Sequence, residues 1–135
     1  MYRRVAIGML LVVGLVIWCP IFLSASSSAN EAKSLRHVVL FKFKDSSTPQ
    51  DIKQIVAAFR ALPGKIDTIK DFEWGTDVSV ENKSEGFTHC FFVSFQNAKG
   101  RDAYLPHRAH QEFVKLAVPH IERVTAVGSA KRDQG

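Results

Sequence analysis

Five histidines fall at positions 37, 89, 107, 110 and 120 of the 135-residue chain, and four of them lie among aromatic residues. His37 alternates with phenylalanines in RHVVLFKFK (36–44), and His89 does the same in FTHCFFVSF (87–95). The segment YLPHRAH (104–110) sets Tyr104, His107 and His110 at steps of three, so adjacent members of the trio meet if the segment is helical. Imidazole is the side chain whose ordinary pKa suits proton transfer near neutrality. A neutral histidine beside a tyrosine can take a proton alpha to a carbonyl while the phenol donates a hydrogen bond to the developing enolate oxygen.

The elements that carry these residues follow from periodicity. Arg36–Lys44 reads as a strand with His37, Val39, Phe41 and Phe43 on one face and Val38, Leu40, Lys42 and Lys44 on the other. Thr48, Pro49 and Asp51 start a helix whose stripe is Ile52, Ile55, Val56, Phe59 and Leu62, and Pro63-Gly64 ends it. Ile69–Thr76 is a second strand, with Phe72 and Trp74 sharing a face, and Asp77–Gly86 is a polar connection. Phe87–Phe95 is the clearest strand, with Phe87, His89, Phe91, Val93 and Phe95 aligned. Asn97–Leu116 is helical with a break near Pro106, and Arg123–Gly128 is the last strand.

The order β-α-β-β-α-β predicts an α+β, ferredoxin-like domain: one antiparallel sheet with two helices on one face. His37 and His89 are expected on the helix-facing side, where two to four imidazoles, drawn from these two and from His107 and His110, would meet Tyr104 in one apolar pocket walled by Phe41, Phe59, Phe91 and Trp74. Such a pocket suits a small oxygenated hydrophobic molecule. Each residue also admits a plainer role: His37 and His89 as hydrogen-bonded core histidines, Tyr104 as packing, His107 and His120 at the surface. The opposite face carries Val38, Leu40, Cys90 and Phe92 and needs a partner surface, most simply a second copy packed sheet against sheet.

Composition narrows the remaining classes. The chain is 46% hydrophobic and 23% charged, ordinary for one globular domain, which excludes disorder and fibrous repeats. Residues 1–29 have a basic start (Arg3, Arg4), an uncharged stretch from Val5 to Leu23 and a serine-rich exit, the pattern of a signal peptide cut before Asn30. The 19-residue stretch is also nearly long enough for a retained membrane anchor. Either way the domain is expected outside the cytoplasm, secreted or periplasmic, with membrane contact only through the leader. Without residues 1–29, 106 residues remain with 16 Lys+Arg and 13 Asp+Glu, and no basic run offers a footprint for nucleic acid. Residues 30–34 read as a linker, 35–130 as the domain and 131–135 as a tail. Cys90 is the one cysteine left after the leader, so no internal disulfide forms, and its strand position marks it as packing. No carboxylate accompanies the histidines at ligand spacing, so neither a metal nor another cofactor is expected.

From Leu35 to about Ser129 the chain resembles a stress-responsive dimeric α/β-barrel (Dabb) domain. The resemblance rests on Arg36–Lys44, on Trp74-Gly75-Thr76-Asp77-Val78-Ser79, on Glu85-Gly86-Phe87-Thr88-His89 and on Tyr104–His110. It implies a homodimeric barrel built through the open sheet face. Within that family the chain is similar to plant polyketide cyclases of the olivetolic acid cyclase type, which close linear chains by an aldol step. That likeness implies His110 as catalytic base, Tyr104 as its partner, and His37 and His89 as further pocket histidines. Two functions follow as expectations: a lyase- or cyclase-type binding protein using His110 and Tyr104, or a non-catalytic, stress-related dimeric module of the cell envelope. A haem- or metal-using enzyme on the same plan is a third.

Overall fold

The alternation in the first block folds as β1, Leu35–Phe43, in which Leu35, Val39, Phe41 and Phe43 are buried. The computed structural model describes residues 34–130 and 132. The leader at 1–29, residues 30–33 of the linker and all of the tail but Arg132 lie outside the described residues.

Helix α1, Pro49–Arg60, begins with a reciprocal capping box. The Thr48 hydroxyl accepts from the Asp51 amide at 3.2 Å, and the Asp51 carboxylate accepts from the Thr48 amide at 2.9 Å. Its stripe buries Ile55, Val56 and Phe59, and a 3-10 turn at Leu62–Gly64 closes it. Strand β2, Ile69–Thr76, and strand β3, His89–Phe95, form an antiparallel pair joined by the polar connection.

Among the described residues the second helical segment divides at the expected break into two helices. Helix α2 spans Ala98–Tyr104 and α3 spans Arg108–Ala117. Pro106 has no backbone N–H to continue the ladder, and the chain turns there with the His107 amide bonded to the Tyr104 carbonyl at 3.1 Å. Strand β3 starts two residues later than the expected Phe87. Residues 87 and 88 leave the regular ladder, although the Thr88 amide still donates to the Phe41 carbonyl. Strand β4, Ile121–Ala130, is longer at both ends than the expected 123–128, since it pairs with β1 along its whole length through an irregularity at Lys42/Phe43.

All four strands pair antiparallel in the order β2-β3-β1-β4, the ferredoxin-like arrangement. The core lies between the sheet and the helices. Phe59 of α1 packs on Phe91 of β3 at 4.5 Å between ring centroids and on Phe113 of α3 at 4.4 Å. Burying each such ring contributes about 1.5–3 kcal/mol, and Phe113 also stacks near Phe41 of β1 at 6.4 Å, which sets α3 over the sheet. On the outer face Val38, Leu40, Cys90 and Phe92 are half-buried, and Val127 is 54% exposed. The connection after β2 reaches back over that face. Arg123 of β4 holds it by an ion pair to Glu85 at 3.0 Å and by standing 4.7 Å over the Phe87 ring. Gly86 there has φ +83°, and a Cβ on it would come within 2.8 Å of the Lys42 side chain.

Candidate functional site

The break between α2 and α3 determines what reaches the cavity. With the chain turned at Pro106, the first turn of α3 lays the His110 ring against Tyr104, the last residue of α2, at 4.2 Å between centroids. His37 of β1 meets the same phenol from the sheet at 6.2 Å, edge to face. These three residues, with Phe41, Phe59 and Phe113, line a cavity of about 390 Å³ between sheet and helices. It opens past Leu105, Val118 and Val124, all partly exposed apolar side chains.

Tyr104 is only 1% exposed. Its phenol makes no hydrogen bond with any described residue, and burial alone pushes its pKa well above the ordinary tyrosine value. Tyr104 is one of the residues that line the cavity. A buried phenol that keeps its proton and lacks an acceptor is a donor awaiting one.

His110 is held in one tautomer. Its Nδ1 lies 2.9 Å from the Leu105 carbonyl oxygen. That oxygen can only accept, so Nδ1 carries the proton and Nε2 keeps its lone pair. Burial pulls the His110 pKa down, the Leu105 carbonyl opposes this, and nearby His107 adds to it. His37 is lowered by burial first, then by His110 and Arg101. Both rings are therefore neutral near pH 7. The cavity joins an uncharged acceptor, an uncharged donor and mostly apolar walls, with Glu122, ion-paired to Lys42 at 2.8 Å, as the one carboxylate in its lining.

The remaining candidates lie elsewhere. Phe91 is fully buried beneath Phe59 and does not line the cavity. His89 points to the same side of the sheet as His37, but it pairs in register with Phe41, four residues further along β1 or about 13 Å away. There it packs edge-on to Phe43 at 5.2 Å, stacks near Trp74 at 6.3 Å and bonds Thr88 Oγ1 through Nδ1 at 2.9 Å. His89 and Trp74 instead border a second, open concavity of about 1020 Å³ that runs from that end of the sheet over Leu40, Cys90 and Phe92. His107 is outside both concavities: it is the N-cap of α3, its Nδ1 accepting from the Ala109 amide at 3.1 Å. Of the two to four imidazoles expected in one pocket, the cavity holds two, His37 and His110. Val124 and Ala126 also line the cavity without standing among the expected site residues, and their alternation along β4 is the sequence signal for them. Among the described residues no three His, Cys, Asp or Glu converge as a metal site.

One consequence is a pH dependence. Burial lowers the pKa of His37, His89 and His110 below the ordinary 6.5. Above about pH 6.5 these rings are neutral in both folded and unfolded chains and contribute no slope. Below it the unfolded chain binds protons that the folded one resists, so stability falls as pH drops toward the folded-state values. The urea midpoint is expected to be lower at about pH 5.5 than at about pH 7.5, and the difference should shrink in His110→Ala. Equal midpoints would mean the rings are not held neutral.

Comparison with known proteins fits this geometry. The sequence pattern of the stress responsive A/B barrel domain matches residues 35–129. The stress-response A/B barrel domain-containing protein HS1 of Arabidopsis thaliana is 35% identical over 98 residues, covering 72% of this chain and 90% of that protein. Olivetolic acid cyclase of Cannabis sativa is 34% identical over 80 residues, 59% of this chain and 79% of the enzyme. A dimeric ferredoxin-like protein of unknown function from Thermobifida fusca superposes with a TM-score of 0.66 at 24% identity, covering 75% of this chain and 93% of that one.

Proposed function

The chain belongs to the stress-responsive A/B barrel domain family, and from that premise we propose that it binds a small, uncharged, oxygenated hydrophobic molecule and performs lyase- or cyclase-type proton abstraction on it. The observation that carries this reading is the buried Tyr104 phenol, without an acceptor among the described residues and in contact with a neutral His110. The likeness to a cyclase supports it from a second side.

In the proposed step a ligand carbonyl accepts the Tyr104 O–H, and His110 Nε2 takes a proton from the carbon alpha to it. The C–H electron pair moves into the new C=C bond and the carbonyl π pair onto oxygen, giving an enolate held by the phenol. The imidazolium that forms keeps its Nδ1–H bond to Leu105. The enolate can then attack an electrophile or be reprotonated by His110. Phe41, Phe59 and Phe113 exclude water and hold an alkyl or aryl body.

Acetophenone serves as the test probe, since its methyl protons exchange slowly without a catalyst and the molecule fits a cavity of this size. Incubation in D2O with the protein is expected to give deuterium uptake at the methyl group, followed by NMR. Uptake no faster than in buffer, together with no thermal stabilisation by aryl ketones, would leave the non-catalytic module as the better account.

The same proposal includes self-association. The described surface of Val38, Leu40, Phe92 and exposed Val127 matches a sheet-to-sheet homodimer, and a structural relative is described as dimeric. Sedimentation at micromolar concentration should give twice the chain mass, and a monomer would reject the barrel. The leader pattern supports action outside the cytoplasm. Recovered protein beginning at Asn30 would mark cleavage.

A further inference from the structure

The Leu105 carbonyl that fixes His110 accepts a second hydrogen bond, from Gln111 Nε2 at 2.7 Å. Resting on the acid–base reading above, the geometry points to Gln111 as a positioning residue that aims this carbonyl at His110 and so keeps the reactive lone pair on Nε2. Three features of the site carry the inference.

First, the carbonyl needs holding. Leu105 is 40% exposed and sits in the turn between α2 and α3, followed by Pro106, which has no N–H of its own with which to brace the turn. Water can reach this oxygen, and a peptide free to rotate would share it between solvent and the imidazole. Gln111 lies one residue beyond His110 on α3, so its amide ties the turn to the helix that carries the base.

Second, the tautomer needs holding. A free neutral histidine favours the proton on Nε2, which would block the proposed base. The Leu105 bond must overcome that preference, and a net hydrogen bond shifts such an equilibrium only by a factor of about 2 to 10. Loss of alignment is therefore enough to return a measurable share of the ring to the unproductive form.

Third, Gln111 has no other evident work. It is exposed, on the face of α3 away from Phe113 and Ala117, which supply the helix's buried contacts. Its amide orientation follows from the partner: a carbonyl oxygen requires a donor, so Nε2 rather than Oε1 faces Leu105.

Long-range 15N–1H NMR of the imidazoles in the full-length protein reads the tautomer directly and needs no substrate. The wild type is expected to show His110 protonated on Nδ1. In Gln111→Leu, which cannot donate, the share protonated on Nε2 should rise about threefold. Gln111→Lys, which keeps a donor of similar reach, should resemble the wild type. An unchanged tautomer in Gln111→Leu overturns the inference, as do equal shifts in both variants, which would trace the effect to packing. Gln111→Ala replaces the leucine variant should that one fail to fold. A wild type protonated on Nε2 would instead overturn the catalytic reading itself, so the two failures are distinguishable.

Discussion

Tyr104→Phe is expected to slow deuterium uptake by acetophenone about 10²- to 10³-fold, while the melting temperature stays level or rises. The two halves of this result have one cause. The phenol is buried and finds no protein acceptor among the described residues. A buried polar group in that position costs desolvation without return, so removing its oxygen relieves the folded state. The ring itself remains to pack against Phe95 at 5.2 Å and His110 at 4.2 Å. Catalysis, by contrast, loses the donor that meets the growing enolate charge, and single oxyanion donors are worth about that rate factor. A packing tyrosine predicts the opposite pair, unchanged activity with reduced or equal stability. Paired thermal melts and exchange rates on the same preparations decide between them.

What the sequence makes legible here is faces and boundaries. Alternation through Val39, Phe41, Phe91 and Val93 assigns the inner face, because a strand's period of two leaves no other choice once one side is buried. Thr48, Pro49 and Asp51 announce α1 because each satisfies a specific need of a helix start. The break at Pro106 is readable for the same reason. Distance along a strand is not readable from periodicity. His37 and His89 share a face, but the register that pairs His89 with Phe41 separates them, and register depends on partners remote in sequence. His107 illustrates a second limit. N-caps are ordinarily Ser, Thr, Asp or Asn, so an imidazole accepting the Ala109 amide carries no recognisable local signal. The added length of β4 escapes for a third reason: Ile121, Glu122, Ser129 and Ala130 carry no strand alternation of their own, and only pairing with β1 defines them.

The cavity that remains after these corrections is smaller than the expected chamber and chemically simpler, with one base, one donor and His37 beside them. That simplicity sharpens the test of the base. His110→Ala is expected to lower the same exchange rate about 10²- to 10⁴-fold, the usual worth of a positioned general base. The loss should fall on kcat, because the apolar walls of Phe41, Phe59 and Phe113 that bind the probe are untouched. Added imidazole should restore part of the rate in this variant, since the removed ring leaves a space of its own shape beside Tyr104. Rescue of that kind separates a missing base from a disturbed fold, which no small molecule would repair. If His37 were the base instead, His110→Ala would retain most activity and His37→Ala would remove it. The geometry argues against this order: the Tyr104 ring lies 4.2 Å from His110 and 6.2 Å from His37, and His110 has the Leu105 carbonyl to hold its proton on Nδ1. Base and donor must reach the alpha carbon and its carbonyl oxygen in the same small molecule, and the closer, oriented pair is the one able to do so.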